Sequence, residues 1–280
     1  MIRLLTASDA QTQLSHSQIA RILVPTMGAL HDGHFKLIEM ARDLVGSKGE
    51  VIVSIFVNPI QFDKQGDLDS YPQPIEEDLA HCERLGVNAV FTPDARQLYH
   101  SDRSITVQES SLSALLCGAT RPGHFDGVCT VISKLFNIIQ PTHAIFGEKD
   151  YQQLAIIRRL VRDLNYPVKI IGCPTVRESS GLALASRNLR LTEDAKAQAP
   201  AIRQAMLLAQ KSHIKGEHKA SNLLQIIRDH LASQAPMSKI DYLECVCAET
   251  LQAVKTTDKP SVIAIAAFFG DVRLIDNIQL

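Results

Sequence analysis

Arg21-Ile22-Leu23-Val24-Pro25-Thr26-Met27-Gly28-Ala29-Leu30-His31-Asp32-Gly33-His34 decides the fold. Its first six residues form an apolar run with β-branched Ile22 and Val24 and read as a buried strand. Residues 34–45 follow at once and place Phe35, Leu37, Ile38, Ala41 and Leu44 at helical spacing. A strand that passes through a glycine-bearing loop into a helix opens a Rossmann-like sheet and offers a helix N-terminus to an anion. Gly28 and Gly33 allow close backbone approach, and Asp32 is the expected cap of the helix. His31 and His34 lie about one turn apart on one face. Two imidazoles there suit a polyphosphate: they donate hydrogen bonds to its oxygens and stabilise charge that builds up during transfer. The loop is not a Walker A sequence and the chain has no G-x-G-x-x-G, which disfavours a dinucleotide cofactor. Zinc needs a third and usually a fourth ligand, and the spacing of His124 and His143 does not supply them.

Outward from this stretch, short β-rich runs alternate with helical ones. Residues 51–57, 89–91, 142–146 and 168–172 read as strands, and residues 75–85, 127–139 and 151–164 as helices. That alternation implies a parallel sheet with right-handed crossovers and ligands at the carboxyl ends of the strands. Beyond Pro174 the pattern changes. Residues 193–212 and 220–233 read as helices, and residues 239–247, 261–267 and 272–275 as strands, which indicates a separate α+β domain. The expected fold is therefore α/β, a Rossmann-like parallel sheet with a smaller α+β C-terminal domain. Residues 1–175 are expected to form the first domain and residues 176–280 the second.

The bulk properties agree with an ordinary globular protein. Of 280 residues, 45% are hydrophobic and 21% charged, enough to bury a core without disulfides or a structural metal. A net charge of −1 lacks the basic surplus of a nucleic-acid binder. The opening residues show no apolar core followed by a small-residue cleavage site, and the longest apolar run, residues 262–269, is too short to span a bilayer, so a soluble cytoplasmic protein is expected. Cys82, Cys117, Cys129, Cys173, Cys245 and Cys247 form no C-x-x-C pair and read as reduced, small hydrophobic residues.

Three further segments carry chemistry. After the second strand, Asn58-Pro59-Ile60-Gln61-Phe62 offers Gln61, an amide that both donates and accepts and suits a hydroxy acid. Phe146-Gly147-Glu148-Lys149-Asp150-Tyr151-Gln152-Gln153 follows another strand and opens a helix. Lys149 is a point charge suited to phosphate, and Asp150 an oxygen ligand for magnesium, directly or through water. In the helix, Leu154, Ile157, Leu160, Val161 and Leu164 form the expected apolar face, with Gln153 one turn before Ile157 and directed to the cleft. Arg158, Arg159 and Arg162 read as its solvated side. In Ala183-Leu184-Ala185-Ser186-Arg187-Asn188, Arg187 presents a planar fork of donors and Ser186 a hydroxyl, as expected of a lid that closes over a nucleotide.

Together these segments resemble the pantothenate synthetase (pantoate–β-alanine ligase) family over nearly the whole chain. Arg121-Pro122-Gly123-His124-Phe125-Asp126-Gly127 and Arg273-Leu274-Ile275-Asp276-Asn277 extend the match. The resemblance implies a fold of the His-x-Gly-His nucleotidyltransferase type and, typically, a homodimer. It implies condensation of pantoate with β-alanine at the expense of ATP, through pantoyl-adenylate, with magnesium assisting and pyrophosphate and AMP released. It also implies site residues. Met27, Gly28, Ala29, Leu30, His31, Asp32, Gly33 and His34 would line the ATP site, joined by Gly147, Glu148, Lys149, Asp150, Val176, Leu184, Ala185, Ser186 and Arg187. His34, His31, Lys149 and Arg187 would be catalytic, Gln61 and Gln153 would bind pantoate, and Gln61 would also lie near β-alanine.

The sequence departs from the family pattern in one place. Where the family reads Asp-Gly-Leu-Ala-x-Ser-Ser-Arg-Asn, this chain has Ser180 for the aspartate and Ala185 for the first serine, which removes one hydroxyl from the expected phosphate contacts. Three alternatives stay open from sequence. One is a nucleotidyltransferase of the same fold that keeps the nucleotide in its product, one a synthetase-like catalytic core, and one a non-catalytic nucleotide sensor. Pyrophosphate release on adding pantoate to MgATP separates them.

Overall fold

The computed structural model describes residues 1–14, 19–63 and 65–280 in two units. The first comprises Met1–Ser113, Arg121–Glu148 and Gln153–Pro174; the second comprises Ala114–Thr120, Lys149–Gln152 and Thr175–Leu280. In chain order the elements are β1 (Ile2–Leu4), α1 (Ala7–Gln13), β2 (Arg21–Thr26), α2 (Asp32–Val45), β3 (Glu50–Ile55), α3 (Gln65–Asp69), α4 (Ile75–Arg84), β4 (Ala89–Phe91) and α5 (Ala95–Leu98). There follow α6 (Leu116–Ala119), α7 (His124–Ile139), β5 (His143–Gly147), α8 (Tyr151–Asp163) and β6 (Lys169–Cys173), then α9 (Glu193–Gln198), α10 (Ala201–Ile214), α11 (Ala220–Gln234), β7 (Ser238–Cys247), β8 (Ser261–Phe269) and β9 (Val272–Gln279).

The first unit is built on one parallel sheet of order β1-β4-β3-β2-β5-β6. From β2 the chain first winds outward through β3 and β4, then returns to place β5 on the other side of β2. The switch point therefore lies between β2 and β5, and the β2–α2 loop stands at the carboxyl edge beside it, where open α/β sheets bind ligands. The opposite end of β2 is tied down. Arg21, 5% exposed, pairs with Glu50 at 2.7 Å and donates to the Ile139 carbonyl at 2.8 Å. Ile22, Val24, Val51, Val53 and Val90 pack with Leu37, Ile38, Ala41 and Cys82 of α2 and α4 in one buried cluster.

In the second unit, β7-β8-β9 form an antiparallel sheet. Ile202, Ala205 and Met206 of α10 and Leu223, Ile227 and Leu231 of α11 share one core with Ile263, Ile265 and Phe269 of β8. The α/β and α+β readings both hold.

Several boundaries differ from expectation. Residues 193–212 are not one helix: α9 and α10 are separate, because Pro200 lacks the N–H that would carry α9 onward. Strand β9 continues past residue 275 to Gln279 through two buried polar residues, Asp276 and Asn277. Helix α7 starts at His124, three residues before the expected 127, after Gly123 adopts φ +77°. Leu164 lies beyond α8 and is 50% exposed, while Ile156 and Gln152 are buried. The strand expected over 51–57 ends at Ile55. Cys245 is in the core and Cys247 is half-buried; burial pushes the thiols of Cys82 and Cys129 up to about 12 and that of Cys245 up to about 11. No helix among the described residues is long and apolar enough to cross a membrane.

Candidate active site

The β2–α2 loop is held by its own histidines. His31, not Asp32, is the N-cap of α2; its Nδ1 accepts the Gly33 N–H at 3.1 Å, while its carbonyl accepts from His34 at 2.7 Å and Phe35 at 3.0 Å. Asp32 instead begins the helix and is exposed. In return the His34 Nδ1 accepts the His31 N–H at 3.4 Å, and the two rings lie 4.2 Å apart. A neutral imidazole that accepts at Nδ1 carries its proton on Nε2, so in this arrangement both rings are Nε2–H tautomers. The first-turn N–H groups of Gly33 and His34 are already occupied. Those two backbone amides are therefore not available to an anion at this loop.

The turn that leads into the histidines is left-handed at two successive residues, Gly28 at φ +82° and Ala29 at φ +51°. Asp78, on the first turn of α4 and 2% exposed, accepts the Ala29 N–H on one carboxylate oxygen and the Leu30 N–H on the other, each at 2.8 Å. Space is tight here: a Cβ at Gly28 would fall 2.9 Å from Ile55 Cγ2 and 3.0 Å from Asp78 Oδ2.

Beside this loop, Gln61 closes a 3₁₀ turn over Pro59–Gln61 and is buried. Its Oε1 accepts from Asn58 Nδ2 at 2.9 Å, and its Nε2 points to Met27 Sδ at 3.0 Å. Asn58, 1% exposed, also donates to the Gly127 carbonyl at 3.1 Å and accepts from the Tyr99 hydroxyl at 2.9 Å. A carbonyl can only accept, so the sense of the Asn58 amide is fixed, and through it that of Gln61. Gln61 gives its acceptor to Asn58 and one N–H to Met27, which leaves the second N–H of its amide. Burial raises the Tyr99 phenol above its ordinary pKa and keeps it a donor. The Gln61 backbone carbonyl accepts from His124 Nδ1 at 2.7 Å, and Arg121 pairs with Asp63 at 3.3 Å. Burial opposes the Asp63 carboxylate, but its own backbone N–H and Arg121 outweigh that and hold its pKa below the ordinary value. Gln153 is half-buried on α8, and Gly147 and Glu148 are half-buried at the end of β5.

In the second unit, Lys149, Ala185, Arg187, Asn188, Arg273 and Asp276 line one recess. Lys149 is largely buried and lies 4.0 Å from the half-exposed Asp150, at the outer limit of an ion pair. Its carbonyl accepts from Asn277 Nδ2 at 3.0 Å. The Asp276 charge is taken by a two-pronged bond from Arg177, at 2.7 and 2.8 Å, and Arg273 is held by Asp241 at 2.7 and 2.9 Å. Leu184 donates to the Val176 carbonyl at 3.0 Å, so these two residues are neighbours. Ala185 precedes the 3₁₀ turn Ser186–Arg190 and offers no side-chain cap; Ser186 is half-buried and Arg187 exposed. Among the described residues no group of three His, Cys, Asp or Glu side chains stands ready to hold a metal.

The family model for pantoate-beta-alanine ligase matches residues 3–279. The chain belongs to that family. A pantothenate synthetase of Akkermansia muciniphila is 56% identical over 262 residues, 92% of each chain, and that of Solidesulfovibrio magneticus is 47% identical over 91% of this chain and 88% of the relative. Among solved structures, a pantothenate synthetase from Thermus thermophilus superposes with a TM-score of 0.93 at 39% identity, covering 99% of both chains. A pantoate-beta-alanine ligase from Francisella tularensis, complexed with beta-gamma ATP and beta-alanine, gives a TM-score of 0.79 at 33% identity over 99% of this chain and 97% of that one.

For this member of the ligase family, sequence reasoning missed Asp78, Asn58 and Tyr99 around the first-unit site and Arg177 around the second-unit recess. Asn58 was visible beside Gln61 but looked like any loop asparagine. Asp78 and Tyr99 carry no local signal, since their partners are distant in sequence. The helical spacing of residues 75–85 does place Asp78 in a first turn with two surface carboxylates, and only burial distinguishes it from Glu76 and Glu77.

Proposed function

We propose that this chain joins pantoate to β-alanine with ATP in two steps, forming pantoyl-adenylate and pyrophosphate and then pantothenate and AMP. The observation that carries the reading is the placement of His31 and His34, each accepting a backbone N–H at Nδ1, at the switch point of the sheet, beside the buried amide of Gln61. In the first step a pantoate carboxylate oxygen attacks the α-phosphorus and the bond to pyrophosphate breaks. The imidazole donors of His31 and His34 stabilise charge on the phosphoryl oxygens, with His34 the principal group. No protein nucleophile is needed. Gln61 and Gln153 bind pantoate, the Gln61 N–H meeting an oxygen of the hydroxy acid, and Gln61 also borders β-alanine.

The ATP set is Met27, Gly28, Ala29, Leu30, Asp32 and Gly33 with the histidines, and Gly147, Glu148, Lys149, Asp150, Val176, Leu184, Ala185, Ser186 and Arg187. Lys149 and Arg187 line one recess of the second unit and offset phosphate charge, which reduces repulsion between two anionic substrates. Magnesium fits the donor set as a companion of ATP: one half-exposed carboxylate, Asp150, suits an ion that keeps waters and takes phosphate oxygens for most of its shell. When bound it would neutralise triphosphate charge. In the second step the β-alanine amine attacks the acyl carbon and AMP leaves; exclusion of water protects the anhydride until then. The near-zero net charge supports small-molecule partners over nucleic acid. Resemblance to the family supports a homodimer at work in the cytoplasm, without a membrane partner.

Product analysis with MgATP, pantoate and β-alanine tests this reading. Wild type is expected to yield pyrophosphate, AMP and pantothenate together, and His34→Ala to lose all three. A wild type that releases no pyrophosphate with pantoate overturns the substrate assignment.

A further inference from the structure

The loop that carries His31 and His34 has an unusual backbone for its sequence. Gly28 tolerates φ +82° without penalty, but Ala29 at φ +51° carries a Cβ and is strained by about 1 kcal/mol. Such a conformation persists only where its surroundings over-determine it. The group that meets it is the Asp78 carboxylate, buried beneath the loop with both oxygens committed to the successive N–H groups of Ala29 and Leu30. Successive N–H groups that converge in this way form a natural anion cradle. Here the anion is supplied by the protein. The cradle is closed to a phosphate, and a charge-assisted pair of hydrogen bonds pins the segment immediately before His31.

We propose that Asp78 is a positioning residue for the adenylation step: it holds the left-handed turn at Gly28 and Ala29 so that His31 and His34 stand where the transferring phosphoryl group needs them. The proposal rests on the ligase reading above and deepens it. Asp78 does not touch substrate. Its effect is confined to the step that uses the histidines, so aminolysis of pantoyl-adenylate by β-alanine does not depend on it in the same degree.

The test is Asp78→Asn. The amide matches the carboxylate in shape but sets an NH₂ against one of the two N–H donors, so one bond becomes a donor–donor clash. The expected result is a folded protein whose kcat for pyrophosphate release from MgATP and pantoate falls at least tenfold. The KM for pantoate, and the rate at which synthetic pantoyl-adenylate reacts with β-alanine, should stay within twofold of wild type. Gly28→Ala disturbs the same turn from the other side, since its Cβ meets both Ile55 and Asp78 Oδ2. It should slow pyrophosphate release as well, and the double variant should lose less than the product of the two single effects, as expected for groups that act on one element. If Asp78→Asn fails to fold, Asp78→Ser, which keeps an oxygen acceptor beneath the turn and adds no NH₂ against it, carries the test by the same criterion. The proposal is overturned if the folded variant adenylates pantoate at the wild-type rate, or if both half-reactions fall together in proportion to the folded fraction. Wild type that releases no pyrophosphate with pantoate overturns the ligase reading itself, whereas an active wild type with an equally active variant overturns this inference alone.

Discussion

His31 and His34 hold each other: the Nδ1 of His34 accepts the His31 backbone N–H at 3.4 Å, and the Nδ1 of His31 caps the same helix through Gly33 at 3.1 Å. Under the proposed function each ring has a structural nitrogen, Nδ1, and turns the other, Nε2, to the phosphoryl group. The two roles of His31 can be separated by substitution. Asparagine supplies an oxygen near the position of Nδ1 and is among the best N-caps, so His31→Asn should keep thermal stability within about 0.5 kcal/mol of wild type while adenylate formation falls. Glutamine reaches toward the position of Nε2 but caps poorly. His31→Gln should lose about 1 kcal/mol of stability and retain more of the rate. Melting curves and pyrophosphate release on the two variants check this; equal stability and equal rates would sink the division of labour.

The fixed amide sense of Gln61 gives a second prediction. Asn58 donates to its Oε1 and its Nε2 reaches Met27 Sδ, so what the amide has left to offer is a second N–H. Gln61→Glu keeps an oxygen for Asn58 but puts a second oxygen where the N–H stood, opposite an anionic hydroxy acid. Loss of a hydrogen bond to a charged group is worth about 1.5–3 kcal/mol, so the KM for pantoate should rise roughly 10- to 100-fold while that for ATP stays near wild type. Steady-state kinetics with each substrate varied in turn decides it. An unchanged KM for pantoate would mean that this face of Gln61 meets no substrate oxygen.

The parts of this architecture legible in sequence are those written locally. The run from Arg21 to His34 encodes its strand by β-branched residues, its loop by glycine and its helix by apolar spacing, all within one short stretch. The bonds that hold the site are not local. Asp78 lies 49 residues from Ala29 and Tyr99 lies 41 from Asn58, and nothing in single-sequence periodicity links them. The end of β9 was hidden for a related reason: Asp276 and Asn277 look like turn residues, yet they are buried in the strand because Arg177 and the Lys149 carbonyl satisfy them. At the helix cap, a preference for aspartate pointed to Asp32, whereas the chain caps with an imidazole one residue earlier.

Gly127 is a third point of test. It sits on α7 directly against the Pro59–Gln61 turn, where an added Cβ would lie 2.6 Å from the Ile60 carbonyl oxygen and 2.8 Å from both Gln61 N and Cα. Those neighbours are backbone and cannot swing aside. Gly127→Ala should therefore destabilise the protein by about 1–3 kcal/mol, as overpacking does, and move Gln61 with its turn. Denaturant unfolding should show the lost stability, and kinetics on the remaining folded enzyme should show a raised KM for pantoate. A variant as stable as wild type would mean that α7 and the turn separate more readily than their packing indicates.

Ala185 stands where the family pattern has serine, immediately before the 3₁₀ turn Ser186–Arg190 and in the recess lined by Lys149 and Arg187. A hydroxyl at this position has two uses that compete. It can donate to a phosphate oxygen, or it can accept an N–H of the turn that at present has no side-chain cap. Ala185→Ser is expected to do the first and lower the KM for ATP, leaving pantoate binding unchanged, because a lone neutral hydrogen bond is worth about 0.5–1.5 kcal/mol and acts only on the nucleotide. The cap predicts something else: stability higher by about 0.5–2 kcal/mol with no change in either KM. Measuring melting temperature and the KM for ATP on the same preparation separates the two. A lower KM at unchanged stability assigns the hydroxyl to phosphate, and a higher melting temperature at unchanged KM assigns it to the turn and removes Ala185 from the substrate contacts.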